Sequence, residues 1–352
     1  MRLRSFAEAI REGLEQALAD DPRVCVMGPG VPGPTGIFGT TRGLAERFGP
    51  ERVMDMPSSE QAMTGFALGA TLDGYRPVIV HMRVDFAVLA MDQMVNQVAK
   101  WHFMYGGRLR APMVFRLIVG RGWGQGPQHS QSLQAWFAHV PGFKVAMPAS
   151  PRDAKGMLVA AIRDDSPVVL VEHRWLYGIT GDVPEELYET KLGEARVARP
   201  GRHATVAATS HMVIEALRAA ERLAPLGIEV EVVDMRSLVP LDADTLCASV
   251  ARTGHLVVAD TGTIAFGAGA EIAAVATERA FAHLKKAPVR IGLPHFPSPT
   301  TPALADAFYP RAVDIERAVA GLVGLDPARL PVEEPPHGPW RDTPDPSFKG
   351  PY

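Results

Sequence analysis

Cysteine is scarce in this chain, and its scarcity argues against two kinds of site. Only two cysteines, Cys25 and Cys247, occur among 352 residues, and their wide separation fits neither a metal-binding nor a redox motif. Such sparse thiols suit a reducing compartment, where disulfides rarely persist. A disulfide framework or a cysteine-based metal centre is therefore not expected.

An excess of charge of one sign is lacking as well. Lysine and arginine number 36 against 39 aspartates and glutamates, so the formal net charge is -3. Proteins that bind nucleic acid or anionic membranes usually present a strong basic excess, because their ligand is polyanionic. The sequence therefore gives no electrostatic reason to expect either partner.

Long apolar runs are also absent. No run reaches the roughly 18 residues that a membrane-spanning helix needs. The first 18 residues, MRLRSFAEAIREGLEQAL, have an amphipathic helix pattern that contains Glu8, Glu12 and Glu15. Because a secretory signal needs an uninterrupted apolar core, we expect no signal peptide and a cytoplasmic protein.

Motifs that bind phosphate groups are missing too. The chain has no P-loop, and the glycine-rich segment Gly120 to Gly126 leads into Pro127 rather than into a helix. It also has no Gly-Asp-Gly string, since Gly181 and Asp182 are followed by Val183. The chain by itself is therefore not expected to hold a nucleotide or a diphosphate.

What the sequence does contain is a regular alternation of strand and helix patterns. Hydrophobic residues make up 47% of the chain, which is enough for substantial cores. Short apolar runs such as Arg76 to His81 and Val168 to Glu172 are separated by helix patterns, which is typical of parallel sheets covered on both faces. We therefore predict an α/β protein with two mainly parallel-sheet domains.

Proline and glycine suggest where those domains divide. The predicted regions are a first domain at 1–175, a polar linker at 176–203, a second and smaller domain at 204–330, and a tail at 331–352. Seven prolines in the 22 residues of the tail exclude a helix or a central strand there. A disordered tail is slightly favoured over an arm that lies on a neighbouring chain.

Two ionisable residues lie beside turn-forming residues, as proton-transferring groups often do. Glu60 ends the run Pro57-Ser58-Ser59 just before a helix pattern, and His129 follows the glycine-rich segment. This placement suggests a base held at a helix start and a histidine on a loop. A helix-capping carboxylate and a surface histidine remain the alternative interpretation.

Longer phrases around these two residues resemble a known family. They are RVMDMPSSEQAMTGFALGATLDGYRPV, LAMDQMVNQVAKWHFMYGG, QHSQSLQAWFAHVPG, VEVVDMRSLVPLD and FGAGAEIAA. Over about residues 3 to 325 the chain resembles the beta subunit of the E1 component of 2-oxo acid dehydrogenase complexes. Those complexes are thiamin-diphosphate enzymes of the transketolase superfamily.

The resemblance implies half of an enzyme. In the family, the beta chain grips the aminopyrimidine ring of thiamin diphosphate, and a separate alpha chain holds the diphosphate and Mg²⁺. The implied reaction is decarboxylation of a 2-oxo acid and transfer of the acyl group to a lipoyl carrier on an acyltransferase, E2. The implied assembly is α2β2, with no activity in the beta chain alone.

The resemblance also assigns roles to individual residues. Glu60 matches the acid that hydrogen-bonds N1′ of the aminopyrimidine and so promotes deprotonation of the thiazolium C2. His129 matches the histidine that faces the mouth of the cofactor channel and assists transfer to the lipoyl group. The resemblance further implies that three residues contact the cofactor, namely Ser59, Val84 and Phe86. It implies that three others position the substrate, namely Arg83, Gln128 and Ser130.

Four positions depart from the family pattern. An acidic string after the first strand is replaced at Pro29, a strand glutamate is replaced by Val80, and the stacking aromatic is replaced by Val84. A Glu-Gly-Trp-like phrase in the second domain begins here with Asp260.

The departures bear on substrate and reaction. The pocket would gain cationic and aromatic character from His81, Arg83, Arg121 and Trp123, which suggests a substrate with an additional anionic or polar group. Two alternatives stay open, namely a transketolase-type or acyloin-type carbon–carbon ligase subunit and a non-catalytic paralogue. Retention of both Glu60 and His129 argues against the paralogue.

Overall fold

The computed structural model describes residues 2–120 and 125–330, which divide into two compact units. The first unit comprises residues 2–120 and 129–192, and the second comprises residues 125–128 and 193–330. Arg121, Trp123 and the tail from residue 331 lie outside the described residues. The division after residue 192 falls inside the segment 176–203.

The first unit is built on a parallel sheet. Its strands are β1 (Leu3–Ser5), β2 (Val24–Gly28), β3 (Val53–Asp55), β4 (Arg76–His81), β5 (Val114–Val119), β6 (Lys144–Ala146), β7 (Val168–His173) and β8 (Thr180–Asp182). Six of them pair in parallel in the spatial order β6-β7-β5-β4-β2-β3. The short strands β1 and β8 pair with each other, antiparallel.

Helices follow most of these strands. They are α1 (Phe6–Asp20), α2 (Leu44–Phe48), α3 (Glu60–Leu72), α4 (Val84–Ala87), α5 (Trp101–Met104), α6 (Gln134–Ala138) and α7 (Pro151–Arg163). Every residue of β5 and β7 is buried, as expected for central parallel strands covered on both faces. Helix α1 begins with a capping box in which Ser5 and Glu8 bond each other's backbone, so its start is well defined.

The segment after β4 differs from its sequence pattern. The apolar periodicity predicts one helix from Val88 to Tyr105, but the chain forms short turns between α4 and α5 instead. These are 3-10 turns at Val88–Ala90 and Val98–Lys100, with a π-helical turn at Asp92–Gln97 between them. A π turn inserts an extra residue, which moves the apolar face and interrupts a regular helix.

The second unit repeats the alternating pattern on a smaller scale. Its strands are β9 (Arg196–Arg199), β10 (Ala204–Ala208), β11 (Val230–Asp234), β12 (Ser237–Val239), β13 (Leu256–Thr263) and β14 (Val289–Leu293). Its helices are α8 (His211–Leu223), α9 (Ala243–Thr253), α10 (Ala268–Ala280), α11 (Pro302–Phe308) and α12 (Ala312–Val323). Five strands form a sheet in the order β14-β13-β10-β11-β9, in which only β9 is antiparallel.

The predicted fold class is confirmed, because both sheets are mainly parallel and carry intervening helices. The sequence pattern did not anticipate α11 and α12, which follow the last strand. Within the described ranges, no helix has both the length and the hydropathy required to cross a bilayer.

Candidate active site

The candidate site lies at the carboxyl edge of the sheet in the first unit. Parallel strands all end at the same edge, and the loops that follow them are the usual place for ligands in α/β folds. Here β4 leads into Arg83 and α4, and β7 leads into Arg174. The edge therefore brings together residues that are far apart in sequence.

Glu60 is the first residue of α3 and is buried, with 9% of its surface exposed. No hydrogen bond or ion pair joins its carboxylate to any residue in the described part of the chain. Ser59 precedes it at the N-cap and is exposed, and its side chain does not cap the helix. A carboxylate on a largely buried residue that has no protein partner is free to bond a ligand, so the position suits an acid that meets one.

Arg83 ties the His129 turn to the edge of the sheet. Residues Pro127–His129 form one 3-10 turn, and Arg83 Nη1 donates to the His129 carbonyl oxygen at 2.8 Å. The side chain of Gln131 donates to Asp85 Oδ1, also at 2.8 Å. Helix α4 thus holds the histidine segment at two points.

The imidazole of His129 is exposed and meets an aromatic neighbour. Its ring lies edge-on to Phe86, with centroids 5.7 Å apart and an interplanar angle of 89°. Gln128 is also exposed, whereas Ser130 is buried. The turn therefore exposes His129 and Gln128, and the chain becomes buried again at Ser130.

The two candidates for packing on the cofactor ring differ in accessibility. Val84 has no exposed surface in the chain, whereas Phe86, two residues later, is half-buried. Phe86 therefore presents a partly accessible aromatic ring at this edge, whereas the Val84 side chain is buried within the unit.

The structure thus brings Arg83, Phe86 and His129 into direct contact, with Gln128 and Ser130 on either side of His129. Glu60, on α3, has no hydrogen bond to any member of this described group.

Sequence reasoning missed a buried ion pair beneath the site. Arg116 in β5 and Glu172 in β7 are both completely buried and join through two hydrogen bonds, of 2.6 and 2.8 Å. Arg116 also donates to Thr40, and the Tyr177 hydroxyl donates to Glu172 at 2.8 Å. A charged residue inside a strand of otherwise apolar residues is the signal, because such a charge must be paired.

This ion pair also fixes the long connection after β2. Thr40 lies in that connection and accepts from Arg116 at 2.9 Å. Nearby, the Phe38 ring packs 5.7 Å from the Tyr177 ring and 4.7 Å from the Arg174 guanidinium. The connection is therefore anchored to β5 by a polar contact and to the residues after β7 by aromatic contacts.

Burial lowers the pKa of three basic groups at this edge. Burial lowers the pKa of His81, the last residue of β4, to about 4, so its imidazole is neutral near pH 7. Burial also lowers the pKa of Arg83, and it lowers the pKa of Arg174 to about 10, with the positive charge of Arg83 as the second cause. Both guanidiniums remain cationic at neutral pH.

The other departures lie in varied surroundings. Pro29 follows β2 directly and is half-buried, and Val80 is buried inside β4. Asp260, in β13 of the second unit, is buried and accepts a hydrogen bond from Thr209 at 2.6 Å. Among the described residues, no cluster of three or more His, Cys, Asp or Glu side chains could hold a metal ion.

Comparison with known proteins identifies both units. The transketolase pyrimidine-binding domain model matches residues 4–180, and the transketolase C-terminal domain model matches residues 193–315. A solved structure described as a split-gene transketolase, inactive beta4 tetramer, superposes with a TM-score of 0.75 over 91% of this chain and 98% of that chain. Its sequence identity is 24%, so this likeness supports the fold alone.

Curated relatives are more similar in sequence. The beta subunit of acetoin:2,6-dichlorophenolindophenol oxidoreductase from Cupriavidus necator is 40% identical over 324 residues, covering 89% of this chain and 96% of that protein. The mitochondrial pyruvate dehydrogenase E1 component subunit beta-2 of Oryza sativa is 40% identical over 315 residues, covering 88% and 84%. The chain therefore belongs to the family of E1 beta subunits, which are built from the two transketolase domains.

Proposed function

We propose that this chain is the beta subunit of a thiamin-diphosphate-dependent 2-oxo acid dehydrogenase of the E1 type. In this proposal the enzyme decarboxylates a 2-oxo acid and transfers the acyl group to a lipoyl carrier. The family membership supports the proposal, and the observation that carries it is Glu60, a residue only 9% exposed whose carboxylate has no partner among the described residues. Such a carboxylate can form a hydrogen bond with a ring nitrogen of a ligand.

The residues of the candidate site fit the aminopyrimidine half of thiamin diphosphate. Glu60 would hold N1′, Phe86 would offer a ring to pack on, and Ser59 and Val84 would shape the surroundings. When bound, thiamin diphosphate would supply the nucleophilic carbon that decarboxylation of a 2-oxo acid needs. Glu60 would hold a proton at N1′, which would favour the imino form of the ring.

His129 is proposed to act at a different stage. Its imidazole is exposed at the edge and is steered by Phe86 and by the bond from Arg83 to its carbonyl. A histidine in this position can deliver a proton to the sulfur of an arriving lipoyl group. Gln128, Ser130 and Arg83 are proposed to position the substrate and this turn.

An alpha-type partner is part of the proposal. The diphosphate and Mg²⁺ would be held mainly by that partner, in an α2β2 assembly in the cytoplasm, with an E2 acyltransferase as acceptor. Large apolar side chains on α3 and near α5 support a partner surface, since Phe66 is 55% and Phe103 is 88% exposed. Exposed apolar groups in such numbers are typical of protein interfaces.

Co-expression with an alpha-type chain that contains Gly-Asp-Gly tests the proposal. With Mg²⁺ and thiamin diphosphate present, the pair should reduce 2,6-dichlorophenolindophenol in the presence of a 2-oxo acid, and neither chain alone should do so. The isolated chain should bind the cofactor only weakly in calorimetry. Tight binding by the isolated chain, or no turnover of any 2-oxo acid by a correctly assembled pair, would contradict the proposal.

A further inference from the structure

Two charged side chains at the start of α4 bond one short segment of the chain. Arg83 Nη1 donates to the carbonyl oxygen of His129 at 2.8 Å, and Asp85 Oδ1 accepts from the side chain of Gln131, also at 2.8 Å. The backbone N–H of Gln131 donates to the same oxygen of Asp85, at 3.4 Å. The segment is therefore held at His129 itself and again two residues later, at Gln131.

The two charged side chains serve this segment rather than each other. In the described part of the chain, Arg83 and Asp85 form no ion pair, and their hydrogen bonds all go to His129 and Gln131. Arg83 is buried and Asp85 is half-buried, so neither side chain is free to move through solvent. Because hydrogen bonds to an ionised group are stronger than neutral ones, the Asp85 carboxylate is a firm acceptor for Gln131.

The aromatic contact of His129 comes from the same short helix. Phe86 follows Asp85 directly, and its ring meets the imidazole edge-on with centroids 5.7 Å apart. An edge-to-face contact is directional but weak, so it selects an orientation only where the backbone on both sides is already fixed. The hydrogen bonds to His129 and Gln131 fix that backbone, and the imidazole then meets Phe86 in one orientation.

A histidine that transfers a proton must lie at a defined place. In the proposed transfer, the acyl carbon uses its electron pair to bond one sulfur of the lipoyl dithiolane, and the sulfur–sulfur bond breaks. The second sulfur keeps the electron pair of that bond and takes the proton from His129, which requires donor and acceptor within hydrogen-bond distance. The exposed imidazole has no hydrogen bond among the described residues, so its position depends on the backbone that carries it.

We propose that Asp85 and Gln131 are positioning residues for His129, and that the bond between them holds the imidazole where it delivers this proton. The inference rests on the function proposed above and adds two residues that act through His129 rather than on the substrate. Gln131 donates to one oxygen of Asp85 through both its side chain and its backbone, so loss of that oxygen releases both groups.

Substitutions of Asp85 in the assembled α2β2 enzyme test the role of the acceptor. Asp85→Ala removes it, so kcat of the lipoyl-coupled reaction should fall by about tenfold. The KM for the lipoyl carrier and the reaction with an artificial electron acceptor should change by less than about twofold, because neither depends on the proton from His129. Asp85→Asn keeps an acceptor oxygen and should recover most of the lost kcat. Gln131→Ala should lower kcat to the same degree as Asp85→Ala.

A double-variant cycle shows whether Asp85 acts through His129. With His129→Ala in place, Asp85→Ala should change the lipoyl-coupled reaction by less than about twofold, since the group that it positions is gone. Multiplicative losses would overturn the proposal. Asp21→Ala is the matched control, because the half-buried Asp21 also accepts from the side chain and the backbone of one residue, Arg23, but just before β2. It should leave both assays unchanged.

Hydrogen–deuterium exchange tests the geometry without turnover. In the assembled enzyme without substrate, Asp85→Ala should speed exchange of the Gln131 amide by about tenfold, whereas β5 should exchange as in the wild type. Unchanged exchange at Gln131, or equal losses in both activity assays for Asp85→Ala, would overturn the positioning role while the E1 function stands. Failure of the wild-type assembly to turn over any 2-oxo acid would instead overturn the E1 function, and the positioning role with it.

Discussion

The two units have the same kind of sheet, but their carboxyl edges differ in how polar groups are used. At the edge of the first unit, Glu60 has no partner among the described residues, and His129 is exposed to solvent. At the edge of the second unit, Asp260 accepts from Thr209 at 2.6 Å, and Asp234 pairs with Arg196 at 3.4 Å. The first edge therefore has a carboxylate without a partner among the described residues and an exposed imidazole, whereas the carboxylates of the second edge accept bonds from neighbouring side chains.

The difference shows that two units with the same architecture need not have the same function. Parallel sheets with helices on their faces place loops at the carboxyl edge in both units, but chemistry depends on which side chains those loops carry. The second unit also exposes a large aromatic side chain, since Phe266 is 92% exposed.

Substitution of Glu60 should have the largest effect on activity. Glu60→Gln preserves shape and a hydrogen bond but cannot exchange a proton, so it should slow every thiamin-dependent step by about a hundredfold to ten-thousandfold. The measurement is decarboxylation coupled to an artificial electron acceptor. His129→Ala should affect lipoyl transfer much more than this artificial reaction.

Two variants test whether the effect belongs to this edge. Glu46→Gln makes the same chemical change in the first turn of α2, and Asp260→Asn alters the edge of the second unit. Both should keep most of the activity. Losses of similar size in both assays for Glu60→Gln and His129→Ala would defeat the proposed division of roles.

Disruption of the buried ion pair should have the largest effect on stability. Glu172→Gln leaves the completely buried Arg116 with an uncompensated charge, which should lower the free energy of unfolding by about 3 to 5 kcal/mol. Urea denaturation monitored by circular dichroism measures the loss. The exposed pair Arg202–Glu229 in the second unit is the control, and Glu229→Gln should cost less than about 1 kcal/mol. Equal losses would mean that Arg116 is hydrated in solution.

The sequence predicted the elements of both sheets better than the interactions between them. Apolar runs identified β4 and β10 with the bounds that the structure has, because parallel strands covered on both faces are largely apolar. The partnership of Arg116 with Glu172 could not be read from the sequence, since pairing across strands depends on strand order and register. The π turn at Asp92–Gln97 was not predicted, because apolar periodicity does not reveal an extra residue in a turn.

The candidate site, too, was predicted only in part from the sequence. Glu60 and His129 stood out through their turn-forming neighbours and their family resemblance, and their roles stay predictions. The stacking of Arg174 on Phe38 depends on a folded connection about 135 residues away in sequence, so no local pattern could reveal it.

A buried histidine should make the first unit sensitive to acid. The folded pKa of His81 is about 4 against 6.5 in the unfolded chain, so the unfolded chain binds the proton first as the pH falls. The free energy of unfolding should therefore decrease from pH 6.5 to pH 4, by up to about 3 kcal/mol from this residue. His81→Leu should remove that part of the pH dependence in urea denaturation, whereas replacing the exposed His283 in the second unit should not. An unchanged slope in His81→Leu would show that His81 is hydrated.

The smallest expected effect tests the edge of the second unit. Ser210 lies between β10 and α8 with φ 48° and ψ -128°, a conformation that glycine adopts far more readily than serine. Ser210→Gly should relieve this strain and raise the free energy of unfolding by about 1 kcal/mol, without changing activity. Ser249→Gly, inside α9, should have the opposite sign because glycine weakens a helix. If Ser210→Gly lowered activity while it stabilised the fold, the strained serine would serve function, and the contrast between the two edges would no longer hold.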